Sequence, residues 1–283
     1  MTSRLIRIVA CAAFVVVCAL VRAPSRAEQP IDAPTPGSVP VVEVNLIDFD
    51  PAVGDVHARL HLRLPASMIG KDATPIHDLT LVDADTVDES ILKISSKTPF
   101  SYYDDFISAR YQVNDPGTQF MYPFDTHDTY LHFFVAEDTG GGKLERVPIK
   151  YDCSQCGFDG FEVSVLDNGT TATDVRLKVQ IRRTGPIMVF SVFIAIAMWA
   201  MTIVVVIMAY RVTRMASKAP EVTTMGFIGG LLFAFPAIRG SQPRVPPMGV
   251  FSDYYGFFWC EFILIATLVV VMIAWIRYPH EEK

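Results

Sequence analysis

The longest constraint in this sequence is a run of 25 residues without a charge, from Pro186 to Tyr210. As an α-helix the run extends about 37 Å, more than the ~30 Å hydrocarbon core of a bilayer. A water-soluble domain has few ways to bury so long an apolar cylinder, so the run reads as a transmembrane helix. Arg211, Arg214 and Lys218 come directly after it, and the positive-inside rule places that end in the cytoplasm. A second uncharged run, 222–238, has 17 residues, the lower limit for spanning. A third, 254–276, contains only Glu261, and 277–283 then forms a cytoplasmic tail.

The N-terminus agrees with that orientation. Arg4 and Arg7 precede an apolar stretch from Ile8 to Val21, and Ser25-Arg26-Ala27 offers small residues at the −3 and −1 positions of a cleavage site. Residues 1–27 read as a signal peptide or a signal anchor, and the chain beyond residue 27 is expected to be exported. Residues 28–40 are rich in proline and read as a linker.

From there to about residue 185 the period is two. In Val56-His57-Ala58-Arg59-Leu60-His61-Leu62-Arg63-Leu64 every second residue is apolar, the pattern of a half-buried antiparallel strand. Further strands are expected at 41–48, 77–83, 107–113, 129–136, 145–151, 161–166 and 175–183. Asp167-Asn168-Gly169 gives a hairpin signal between the last two, and Gly140-Gly141-Gly142 marks a loop. Short strands separated by turns predict a β-sandwich over 41–185. The expected architecture is therefore an α+β membrane protein, with an extracytoplasmic antiparallel β-sandwich followed by a three-helix transmembrane region. Residues 28–185 carry 25 Asp and Glu against 13 Lys and Arg. That acidic balance repels phosphate backbones and excludes nucleic acid as a partner.

Few residues suggest chemistry. Glu261 is an intramembrane carboxylate, a functional candidate by default. Helix arithmetic tempers this: Glu261 lies about 24 Å from Arg277, and Arg239 about 27 Å from Glu221, which puts both at one depth on antiparallel neighbours. The expectation is an ion pair between Arg239 and Glu261. Cys153-Ser-Gln-Cys156 is the only cysteine pair outside targeting and membrane segments, and in an oxidising compartment it is expected to close a disulfide. His57 and His61 are four apart on a strand, about 13 Å, too far to share one ion. Tyr122-Pro123-Phe124-Asp125 precedes a strand and reads as a structural corner, with a cis bond before the proline plausible. Neither a Gly-rich phosphate loop nor a nucleophile elbow is present, and no catalytic residue, metal or cofactor is assigned.

The Tyr122–Asp125 corner and the stretch from Met225 to Pro243 resemble an uncharacterised family of bacterial multi-pass membrane proteins, best known from actinobacteria and classed only as a domain of unknown function. The resemblance covers residues 40–277 and implies a membrane location but no activity. A looser similarity is to pentameric ligand-gated channels, which carry such a corner and an arginine before their first span, as Arg182-Arg183 stands here. Three C-terminal spans instead of four, and the lack of a polar pore-lining helix, set the chain apart from them. The expected function is a non-enzymatic sensing, binding or scaffolding protein of the cell envelope. A channel-like subunit and an exported thiol-disulfide oxidoreductase are the alternatives. Expected partners are the lipid bilayer and an envelope protein or a second copy; the Gly226-x-x-x-Gly230 spacing allows close helix contact, within one bundle or between copies alike.

Overall fold

The structure, a computed structural model, describes residues 39–70, 72–87, 90–114, 116–139, 143–154, 156–215 and 221–277. The targeting segment, residues 28–38 of the linker, the Gly140–Gly142 loop, Lys218 and the tail beyond Arg277 lie outside them. The chain divides into two compact units. Of the described residues, those from Val39 to Gln119 and Asp125–Thr184 form a β unit, and Phe120–Phe124 with those from Gly185 to Arg277 form a helical unit.

Among the described residues of the β unit ten strands occur in order: β1 Val41–Asp50, β2 Asp55–Arg63, β3 Leu79–Asp83, β4 Ser90–Ile94, β5 Phe106–Gln112, β6 Thr126–Asp138, β7 Leu144–Arg146, β8 Lys150–Asp152, β9 Phe161–Asp167 and β10 Val175–Arg183. They make two sheets, β5-β2-β1-β8 and β4-β3-β6-β10-β9, with β7 also on β6. The alternation in β2 decides its placement. Val56, Ala58, Leu60 and Leu62 are fully buried, while His57, Arg59 and Arg63 are exposed. The inward residues of the two sheets form one core, with Phe49, Leu81, Phe133 and Leu177 among its buried members. β1 turns into β2 at Gly54, whose φ of +80° and whose neighbour Val113, 2.8 Å from where a Cβ would stand, both require glycine.

Three features depart from the expected strands. β4 is an unforeseen edge strand, with Ile91 half exposed, so its apolar residues keep no clean alternation. The expected strand 145–151 is two strands, because Val147-Pro148-Ile149 separates them and proline cannot donate to a ladder. The chain changes sheets there: β7 pairs with β6, and β8 pairs with β1. The β1–β8 pairing is parallel, so the sandwich is not purely antiparallel. The expected β9–β10 hairpin forms, with Gly169 at φ +89°.

The helical unit holds α1 Gly185–Met215, α2 Val222–Gly240 and α3 Phe258–Arg277, the last preceded by a π-helical turn at Asp253–Phe257. Among the described residues these three helices are long and apolar enough to cross a membrane, with mean hydropathy of 2.7, 1.4 and 2.5. One narrow stripe of each helix faces its neighbours. On α1 it is Ile194, Met198, Val205 and Ala209; α2 contributes Ile228, Leu231 and Phe235, and α3 contributes Leu264 and Val271. These spacings of three, four and seven residues are one helix face. Thr202 lies in the same stripe and donates its hydroxyl to Met198 O, 2.8 Å away, which satisfies it locally.

A buried polar contact between side chains joins the two sheets. Asp83 on β3 is buried and its carboxylate accepts the hydroxyl of Tyr111 on β5. Burial pushes the Asp83 carboxyl up to about 6, against the downward pull of the Tyr111 hydroxyl and the Asp85 amide. Burial and the adjacent Asp83 also push the Tyr111 phenol well above its ordinary value. A carboxyl raised from an unfolded value of about 3.9 binds more proton in the folded state, so its contribution is greatest below about pH 4 and declines up to about pH 6. The penalty above pH 6 is on the order of 3 kcal/mol. Urea unfolding of the full chain, read from its far-ultraviolet β signal, should therefore separate wild type from Asp83→Asn. The wild-type midpoint falls relative to the variant between pH 4 and 6, and a constant difference across that window would contradict the assignment.

Candidate functional site

The corner predicted at Tyr122–Asp125 is divided between the two units. The Tyr122-Pro123 bond is cis. Tyr122 is fully buried, with its hydroxyl 2.9 Å from Ser191 Oγ on α1. Phe120 stacks in the same unit, its ring 6.4 Å from Phe251 and 5.9 Å from Tyr254. Asp125, one residue beyond Phe124, belongs to the β unit. Its Oδ1 accepts Arg183 Nε at 2.6 Å, and its Oδ2 lies 2.8 Å from His127 Nε2. All three side chains are completely buried.

The strand pairing explains why they meet. β6 opens with Thr126, opposite Arg182 on β10, and His127 lies opposite Ile181. Asp125 therefore stands beside the end of β10, where Arg183 is the last strand residue. The Arg183 guanidinium lies over Phe161 at 5.1 Å, and the His127 ring lies 4.9 Å from Phe49. Burial by itself would raise the Asp125 carboxyl, but hydrogen bonds to His127 and Arg183 and the arginine's charge outweigh it and hold it below its ordinary value. The cluster is a charged clamp at the end of the central strands.

At the opposite end of β6 is a pocket of about 330 Å³. Pro40, Met68, Leu79 and Val147 give it apolar walls, and His77 and Glu137 supply polar groups 3.7 Å apart. An apolar recess with a few polar side chains is the form that small-molecule sites take.

In the helical unit the expected Arg239–Glu261 pair is replaced by Arg239–Asp253. Arg239 Nε donates to Asp253 Oδ1 at 3.0 Å and Nη2 to Oδ2 at 2.8 Å, a bidentate contact. Nη2 also reaches Pro246 O at 3.0 Å, and Asp253 Oδ2 accepts the Gly249 and Val250 amides at 2.9 and 3.3 Å. Depth arithmetic alone favoured Glu261, but the loop after α2 folds back and delivers Asp253 to the arginine first. Asp253 was missed because it stands one residue outside the uncharged run. An acid there, opposite an arginine ending the preceding antiparallel helix, was the available signal. Glu261 Oε1 is buried and finds no hydrogen-bond partner among the described residues.

Cys153 and Cys156 are joined by a disulfide, with Cα atoms 5.2 Å apart, directly after β8. Both pack against the β core. Cys260 is free and buried in α3.

The Arg239–Asp253 contact generates a stability prediction. Removing one member of a buried pair leaves the other charge uncompensated, at a cost of about 3–5 kcal/mol. Asp253→Ala should therefore lower the thermal midpoint of the detergent-solubilised protein strongly, read by fluorescence of the helical Trp199, Trp259 and Trp275. Glu261→Gln should change it little. Equal losses in the two variants would refute the difference in partners.

Comparison with known families adds two matches. Residues 183–278 match a domain of unknown function, DUF8686. Residues 30–181 match a second one, DUF4436. No curated protein matches the chain. Because the second match takes in more than half of the sequence and its whole span covers the described β unit up to Ile181, the chain belongs to the DUF4436 family.

Proposed function

We propose that this chain is an integral membrane protein of the cell envelope whose β unit lies outside the cytoplasm and binds a partner or small ligand without chemistry of its own. The observation that carries the membrane half of this reading is the outward surface of the three helices. No more than 28% of any span window is buried in the molecule. Phe193, Val204, Phe233, Phe262 and Ile276 point outward, between 64% and 83% exposed. Apolar area on that scale is unfavourable in water and neutral in hydrocarbon.

Aromatic residues gather at the ends of this surface, as they do at membrane interfaces. Tyr254, Tyr255 and Trp259 stand near one end, and Tyr210 and Trp275 near the other. Arg211 and Arg214 end α1 and favour a cytoplasmic position for its C-terminus. That orientation exports the β unit, and an oxidising exterior suits the Cys153–Cys156 disulfide.

The binding half rests on the two-sheet unit and its His77–Glu137 pocket. Sandwich units serve widely as recognition modules, so the support here is fold-level analogy.

Three measurements test the reading. The protein should resist alkaline carbonate extraction from membranes. Asn168→Cys should react with a membrane-impermeant maleimide in intact cells, whereas Ser217→Cys should react only after lysis. Labelling of Ser217→Cys in intact cells would invert the orientation. Release into the carbonate supernatant would sink the membrane assignment. For the binding half, the detergent-solubilised chain should retain a specific envelope partner or ligand on purification, and recovery of nothing under conditions that preserve known envelope complexes would count against it.

A further inference from the structure

The helical unit contains a groove of about 500 Å³ that the corner and the ion pairs do not use. One wall is a stripe of α1 whose members are three and four residues apart: Val192, Ala195, Ile196, Trp199, Ala200 and Ile203. The facing wall is the π-helical turn with the residues just before it, and Pro123 and Phe124 close one end. The volume falls within the roughly 300–1,000 Å³ of ligand sites, but the walls are almost wholly apolar.

The concavity has identifiable causes. Ala195 and Ala200 are small and leave room between their larger neighbours. The Trp199 indole is held in one position, because its Nε1–H donates to Tyr255 O on the facing wall at 3.0 Å. Gly256 brings the π turn close to α1, so that a Cβ there would stand 3.6 Å from the Ala195 Cβ. These contacts form a fixed trough, unlike the convex surface of an isolated helix.

Its placement along α1 identifies the occupant. From Ser191 to Ile203 is twelve residues, about 18 Å of helix. Ser191 lies near one end of the uncharged run Pro186–Tyr210, and Ile203 lies just past its middle at Met198. That is close to the depth of the tails in one leaflet, half of the ~30 Å hydrocarbon core. Polarity changes along the same axis. Hydroxyl-bearing Ser191 begins the α1 wall of the groove, and apolar Ala200 and Ile203 end it. A single hydrocarbon chain with a polar attachment at the membrane surface matches both gradients.

We propose that this groove is an acyl-chain site, taking one tail of a membrane lipid from the leaflet nearest Gly185. The proposal rests on the membrane reading above and adds a defined lipid position to it. Occupancy by the tail fills a recess whose lining otherwise loses contacts on one side.

The test uses the full chain in phosphatidylcholine nanodiscs doped with a phosphatidylcholine carrying a diazirine at mid-chain. After irradiation, adducts are mapped by peptide mass spectrometry. Adducts should be several-fold enriched between Ala195 and Ile203 over the outward faces of α2 at Phe233 and α3 at Phe262. Ala200→Trp should cut the groove adducts several-fold and leave those at Phe233 unchanged. Ile203→Trp, which blocks only the deep end, should move them towards Ser191. Adducts spread evenly over the three helices, or unaffected by either tryptophan, overturn the site. A cross-link between two copies from a photoreactive residue at Ala200, without lipid adducts there, would also overturn it. Absence of adducts on every helix would instead remove the membrane reading, and this site with it.

Discussion

Taking a guanidinium and a carboxylate out of water costs several kcal/mol per ion, and only close pairing with further hydrogen bonds offsets it. That constraint organises both units of this chain. Arg239 and Asp253 meet bidentately, and the remaining acceptor and donor capacity goes to Pro246 O and to the Gly249 and Val250 amides. The contact therefore fixes a whole proline-rich connection as well as two side chains. In the β unit Asp125 holds Arg183 and His127 in the same way, at the point where β6 begins and β10 ends.

These clamps lie at element ends for a physical reason. Along β6 and β10 backbone groups satisfy one another through the ladder, and apolar side chains fill the core. At the ends the ladder stops, and chain direction must be set by side chains instead. The corner shows the result over four residues. Tyr122 is anchored by its hydroxyl within the helical unit, whereas Asp125 is anchored by charge within the β unit. Asp83 and Tyr111 apply the same economy between the sheets, although there burial wins over hydrogen bonding and favours the protonated acid.

Several of the described chemistry-bearing residues are thus committed to structure. The disulfide packs on the core, the strongest acid–base cluster is a buried clamp, and the spare capacity lies in recesses. In the proposed membrane setting the exposed faces of α1, α2 and α3 are compatible with their surroundings, and the trough in the helical unit is the proposed place for a lipid tail.

Much of the architecture was legible in one dimension because periodicity is local. The alternation of Val56 to Leu62 and the unbroken apolar run from Pro186 to Tyr210 by themselves determined a strand and a long apolar helix. The sequence also determined that a two-sheet region precedes three such helices. It did not determine which sheet each strand joins. β4 and the β7–β8 division depend on edge pairing and on a chain crossing at Pro148, and β8 is parallel to β1 only because of where that crossing ends. The partner of Arg239 was likewise decided in three dimensions. Helix depth put Glu261 level with it, but the folded-back loop brought Asp253 to the guanidinium instead. Spacing along the chain sets what a residue can reach, but burial and the path of the connecting loop select which neighbour it meets.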